Sequence, residues 1–299
     1  MIKGIDISEH NGIIDFEKVK NSGINFVMIR ATYGRKKEDK LFHKNVKACI
    51  EAGLPFGLYY YSYAIDEVTA KEEVEFFVKS CMKYKDYVHY PLVIDMEDSD
   101  NYKKERNALT KENCTNICKI ACDHIKESGF IPMIYANQDF WKNYLDKDIL
   151  KDYPKWIAWW SQNANIDKTI YSIWQYKSTG IVDGIGTKVD LNESFFDYQK
   201  YTNYINNIIK INKIKMLTNL QDITIQYLSC YKEGQVLINK IHKRLHDKKI
   251  KEKELDDLNL ALKVMKEYEL NEDEYKFMNY YTYNTDLFQK LYKAICEVK

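Results

Sequence analysis

The chain has 299 residues, of which 45% are hydrophobic and 30% charged, with 45 Lys and Arg against 44 Asp and Glu. That length holds one large and one small domain or a single decorated barrel, and a formal charge of +1 lacks the basic excess of a nucleic-acid binder. No run approaches the roughly 18 apolar residues of a membrane span, so neither nucleic acid nor membrane is expected as a partner. The aromatic fraction is 14%, with 25 Tyr; this suits flat, polar ligands such as sugars, though a general abundance of Lys, Asn, Ile and Tyr accounts for it as well. The start, Met1-Ile2-Lys3-Gly4-Ile5-Asp6, has one basic residue and no apolar stretch of signal-peptide length. Synthesis in the cytosol without a secretory leader is the expectation.

In chain order, short apolar runs predict strands over residues 2–7, 26–31, 56–61, 92–96, 132–136, 156–160, 172–176 and 188–191. Between them, amphipathic spacing predicts helices over 16–21, 44–52, 68–83, 111–127 and 138–144, with Gly53 and Gly129 placed to close helix ends. Strand–helix alternation repeated this often implies a largely parallel sheet. About eight strands in about 200 residues point to an irregular, short-helixed α/β barrel. The seven cysteines are Cys49, Cys81, Cys114, Cys118, Cys122, Cys230 and Cys296, an odd number without a disulfide framework. Cys114, Cys118 and Cys122 share one helix face. With no His or further Cys at ligand spacing, they read as buried small hydrophobes rather than a metal site.

Carboxylates carry the chemistry. The strand Pro91-Leu92-Val93-Ile94-Asp95-Met96-Glu97 runs into two acids, which strand alternation points to one side. Gly4-Ile5-Asp6-Ile7-Ser8 and Lys188-Val189-Asp190-Leu191-Asn192 likewise set an acid into an apolar strand, where an unpaired charge is costly. In a parallel barrel the strand C-termini carry the active site, so three strands would place four acids at one rim. Such a cluster suits glycosidic cleavage, in which one carboxylic acid protonates the leaving oxygen while another stays ionised. Crowding of like charges produces that division of labour. Two other readings stand beside it: Asp side chains as helix caps or turn formers, and a Mg²⁺ site for phosphoryl transfer, although no phosphate-cradling Gly loop is present.

These segments resemble glycoside hydrolase family 25, the Chalaropsis-type lysozymes of bacteria, fungi and phage endolysins. The resemblance runs from Gly4-Ile5-Asp6-Ile7-Ser8-Glu9-His10-Asn11-Gly12 through Phe26-Val27-Met28-Ile29-Arg30-Ala31-Thr32-Tyr33-Gly34 and Gly57-Leu58-Tyr59-Tyr60-Tyr61. It continues in Val93-Ile94-Asp95-Met96-Glu97, Ile134-Tyr135, Trp156-Ile157-Ala158, Ile173-Trp174-Gln175-Tyr176 and Val189-Asp190-Leu191-Asn192. It implies an irregular TIM-like β/α barrel that cleaves the β-1,4 bond between N-acetylmuramic acid and N-acetylglucosamine in peptidoglycan, with no metal or organic cofactor. By motif match Glu97 is the general acid, and Asp95 orients the 2-acetamido group or stabilises positive charge. Asp6 and Asp190 complete the acidic floor, with Asp183 a further candidate. Tyr59, Tyr61, Tyr135 and Trp174 are expected to line the sugar groove, where ring faces meet the C–H faces of pyranoses. Whichever of the alternating tyrosines at 59–63 points outward would instead pack in the core. Inverting and acetamido-assisted retaining routes both stay open, since they differ in a carboxyl separation that sequence does not supply.

The resemblance ends near residue 200, which sets a catalytic barrel over 1–205. Beyond it Gly234 is the only Gly or Pro between residues 205 and 299, and helical periodicity such as Leu255, Leu258, Leu262 and Met265 predicts a small all-helical domain over 213–299. Wall targeting and homo-oligomerisation are the two roles expected of it, and Met216 at the junction is a candidate internal start. Lysozyme motifs without a leader fit a phage endolysin released to the wall through holin-made holes. The alternative is a non-catalytic wall-binding protein on a degenerate barrel, against which the presence of all four acids argues.

Overall fold

The computed structural model describes residues 2–161 and 164–205; the helical domain expected over 213–299 and Met216 lie outside them. The strands are β1 (Ile2–Ile7), β2 (Phe26–Tyr33), β3 (Lys37–Glu38), β4 (Phe56–Tyr61), β5 (Val88–Asp95), β6 (Pro132–Asn137), β7 (Lys155–Ala158), β8 (Ile173–Gly180) and β9 (Val189–Ser194). The helices are α1 (Phe16–Asn21), α2 (Phe42–Ala52), α3 (Glu67–Cys81), α4 (Tyr102–Glu105), α5 (Lys111–Glu127) and α6 (Gln138–Asn143). The sheet order is β1-β9-β8-β7-β6-β5-β4-β2-β3, and a β1–β2 pairing closes it into a barrel with β3 hung outside on β2.

From β1 through β2, β4, β5, β6, β7 and β8 every neighbour pairs in parallel, whereas β9 runs antiparallel to both β8 and β1. The expected strands are thus present, with one difference of direction. The segment after β8 is a short loop with no helix, so the chain turns back on itself, as an antiparallel connection allows and a parallel crossover does not.

The helices form for local reasons. Asp66 caps α3 by accepting from the Thr69 N–H at 2.8 Å, and Thr110 caps α5 through the Asn113 N–H. Gly53, at φ +64°, closes α2 in the left-handed region. On α5 the residues Cys114, Ile117, Cys118, Ala121, Cys122 and Ile125 make a fully buried stripe, so the three thiols are core packing against the sheet. Between strands and helices runs one apolar layer, including Tyr60 with its ring tilted against Phe77. Inside the barrel lies a second, with Phe26, Met28, Tyr90, Val93, Met133, Tyr135, Trp156 and Ile173. There the Phe26 and Tyr90 rings stack at 4.4 Å. Gly4 lies directly on the Phe26 ring, close enough that a Cβ would sit 2.2 Å from its Cζ. Tyr198 enters the same interior and donates to the Ser172 Oγ at 2.8 Å, which closes the end away from the acids.

Candidate active site

The acids meet at the rim where the parallel strands end. Asp6 is next to last in β1 and Asp95 is last in β5, with Glu97 in the loop two residues on. Asp190 reaches the same rim from the other direction. Because β9 is reversed, its second residue, and not its last, lies opposite Asp6 in the antiparallel register.

Asp6 is buried and is the most fully partnered of the four. Its Oδ2 accepts from the Gln175 Nε2 at 2.9 Å and from the Asn192 Nδ2 at 2.8 Å. Both amides are themselves held: Tyr135 OH and Trp160 Nε1 donate to the Gln175 Oε1, and Trp156 Nε1 donates to the Asn192 Oδ1. Such a closed network fixes rotamers that an isolated amide would not keep. Burial raises the Asp6 carboxyl above the ordinary range, against the three hydrogen bonds from Asn192, Gln175 and Asp190 that pull it down. Asp190 is pushed up to about 8, by burial first and then by the Asp6 charge and hydrogen bond.

Burial, then the Glu97 charge, lifts Asp95 well above its ordinary value, with Lys103 and Arg30 opposing. Its Oδ1 is buried and has no hydrogen-bond partner among the described residues. Glu97, half-buried, is also raised by burial and by Asp6, with Lys103 pulling it back. These mutual effects place Asp6, Asp95, Glu97 and Asp190 within one electrostatic cluster. Burial first, and then the adjacent like charges, disfavour the ionised forms in this poorly solvated site. Among the described residues no three His, Cys, Asp or Glu side chains converge as ligands for a metal ion.

Of the expected groove residues, three surround the acids. Tyr59 and Tyr135 pack edge-on to Trp156 at the top of the barrel interior. Both hydroxyls are held protonated by burial and then by the nearby Asp6 or Asp95 carboxyl. Tyr61, beside Asp95 in register, shares a hydrogen bond of 3.0 Å with Ser99. Two of the expected residues lie elsewhere. Trp174 stands on the outer face of β8, packed against the helix-side layer with its Nε1 donating to the Trp159 carbonyl at 2.9 Å. Gln175 takes the inward position, and strand alternation sends its neighbour out. Asp183 is exposed in the β8–β9 loop, where it accepts from the adjacent Gly184 N–H at 2.9 Å.

Sequence reasoning passed over Gln175, Asn192, Trp160 and Lys103. A period-two signal was present for Asn192, which shares a face with Asp190 two residues before it. Lys103 had no such signal, because a lysine in a short helical stretch reads as solvated.

A family model described as glycosyl hydrolases family 25 matches residues 5–185. The autolytic lysozyme of Clostridium acetobutylicum is 31% identical over 193 residues, covering 64% of this chain and 55% of that protein. Among solved structures, the modular autolysin LytC from Streptococcus pneumoniae in complex with synthetic peptidoglycan ligand is 29% identical with a TM-score of 0.57, over 64% of this chain and 46% of that one. The catalytic domain of endolysin ply40, from bacteriophage P40 of Listeria monocytogenes, is 26% identical with a TM-score of 0.56, over 67% of this chain and 96% of that one. The chain therefore spans only about half the length of the first two.

Proposed function

The chain belongs to glycosyl hydrolase family 25, and from that premise we propose that it is a muramidase cleaving the β-1,4 bond between N-acetylmuramic acid and N-acetylglucosamine in peptidoglycan. The observation that carries the reading is the gathering of Asp6, Asp95, Glu97 and Asp190 at one barrel rim, with Tyr59, Tyr61 and Tyr135 around them. The names of the relatives, an autolytic lysozyme and an autolysin with a peptidoglycan ligand, point to the same substrate class.

Glu97 is the general acid. Its carboxyl holds a proton because burial and the Asp6 charge disfavour the ionised form. It donates that proton to the glycosidic oxygen as the bond to the anomeric carbon breaks. Asp95 sits beside it with a buried, unpartnered Oδ1. The N–H of a 2-acetamido group is a donor of the kind that oxygen lacks. Accepting from it favours the ionised form of Asp95 and leaves the proton to Glu97. The Asp95 charge then stands against the oxocarbenium character of the transition state. Asp6, oriented by Gln175 and Asn192, adds negative potential from the floor. Water adds its hydroxyl to the anomeric carbon and its remaining proton returns to the carboxylates, so the acid is restored and the products are one new reducing end and one free hydroxyl.

Digestion of purified Gram-positive peptidoglycan, followed by borohydride reduction and mass spectrometry, tests this. New reducing ends on N-acetylmuramic acid are expected. Ends on N-acetylglucosamine would overturn the bond assignment, and no new ends from walls of several species would overturn the glycosidase.

The finer setting we infer is host lysis by a phage, supported by the likeness to a phage endolysin catalytic domain. Expression in a susceptible host with and without a holin tests it. Lysis only with both is expected; intact cells with both would remove that setting.

A further inference from the structure

One buried cation lies beneath the acids. Lys103, on the short α4, is 1% exposed, and its Nζ donates to two main-chain carbonyls, Glu97 O at 2.8 Å and Ser62 O. Ser62 directly follows β4 and is itself fastened, its N–H donating to Asp95 O at 3.1 Å and its Oγ to the buried Glu73 Oε2 at 2.8 Å. The Asp98 carboxylate in turn accepts from the main-chain N–H groups of Lys103 at 2.7 Å and Lys104 at 3.0 Å, folding the loop after Glu97 back over the lysine. The Nζ also lies 5.7 Å from the centre of the Tyr61 ring. A lysine is rarely buried unless its charge is used, and two carbonyls could be bridged by a neutral donor at lower desolvation cost.

Resting on the assignment of Glu97 as general acid, we propose that Lys103 is a positioning residue for the cleavage. Its ammonium clamps the Glu97 main chain onto the end of β4 and so holds the Glu97 carboxyl beside Asp95, while its charge sets the pH range over which the two acids divide their protons. The ionisable groups that face it are Tyr61 from β4, Glu73 from α3, Asp95, Glu97 and Asp98 from β5 and its loop, and Cys114 and Cys118 from α5. Glu73 is pushed up to about 7 by burial, with Lys103 among the groups that pull it back. The cysteines are held as thiols by burial, which leaves the carboxyls as the charges that respond to the ammonium.

The test compares wild type, Lys103→Met and Lys103→Arg in the full chain. Met keeps the length but removes the charge and both donors. For Lys103→Met a fall of about 100-fold in kcat is expected, the scale of a misplaced catalytic group, with KM changed less than kcat. Both limbs of the pH profile should move to higher pH, since an ammonium favours ionised neighbours. Lys103→Arg, which keeps the charge, should recover the pH limbs and only part of kcat. A merely structural lysine would lower the melting temperature and leave the limbs where they were, and that result with unchanged kcat per folded molecule would overturn the proposal. A ¹³C-detected titration of the Glu97 carboxyl in wild type and both variants reads the same link without turnover. An upward shift in Lys103→Met alongside an inactive wild type would sustain the clamp while sinking the glycosidase. No shift in an active enzyme would sink the clamp alone. Should Lys103→Met not fold, Lys103→Arg decides: wild-type kcat there overturns the proposal, because a guanidinium does not reproduce the two-carbonyl geometry.

Discussion

Asp6 and Asp190 face each other across the antiparallel β1–β9 pair, and a hydrogen bond joins their carboxyls. Two carboxylates are both acceptors, so one of them carries a proton. Asn192 and Gln175 donate to Asp6 and favour its charged form, which leaves the proton to Asp190, raised by burial to about 8. Folded Asp190 thus keeps a proton that the unfolded chain has lost. The stability it contributes is complete below about pH 4, the ordinary Asp value, and is lost as pH rises toward about 8. Asp190→Asn cannot titrate and its amide still donates to Asp6. Thermal melts across this range should show a shallower decline than wild type, and equal slopes would place the proton elsewhere.

Glu97→Gln removes the titrating proton and little else, as the swap is isosteric. Reducing-end assays should show kcat lower by about 10²–10⁴-fold, the usual contribution of a positioned acid. Melting temperature and wall binding should hold. Retained activity would move the acid role to Asp95.

Trp160 is 59% exposed, yet its Nε1 donates to the Gln175 Oε1 at 3.0 Å, so it presents an open ring face beside the residue that holds Asp6. Trp174, on the other face of β8, presents none to the site. Trp160→Ala should raise KM for soluble glycan fragments by roughly fivefold, the value of about 1 kcal/mol of ring contact. Trp174→Phe should leave KM unchanged. The reverse pattern would restore the groove role that sequence motifs assigned to Trp174.

Gly57 in β4 has no room for a side chain: a Cβ would stand 2.7 Å from Met28 Cε, Pro91 O and Tyr90 Cβ. Pro91 O is backbone and Met28 and Tyr90 belong to the packed barrel interior, so Gly57→Ala should cost about 1–3 kcal/mol, toward the upper end of overpacking. Urea unfolding measures it, and an unchanged midpoint would mean that β4 and β5 can part at no cost.

Strand and helix placement was legible because its causes are local. Alternation put Asp6 and Asp190 in apolar runs, and a four-residue stripe put Cys114, Cys118 and Cys122 in the core. Short elements such as β3 and α4 were not, since a few residues give no period to read. Flanking acids hold both in place: Asp39, just after β3, accepts from the Arg30 Nε at 2.9 Å, and Asp98, before α4, accepts from the Lys103 N–H.

The sequence by itself determined which carboxyls could gather at the rim, because an acid inside an apolar strand has nowhere else to be paid for. Only the tertiary structure decided the direction of β9, the inward turn of Gln175 in place of Trp174, and the burial of Lys103 under Glu97. Each depends on partners far along the chain, as when residues 175 and 192 close on Asp6. Such pairings are selected by packing of the whole barrel, and no local period encodes them.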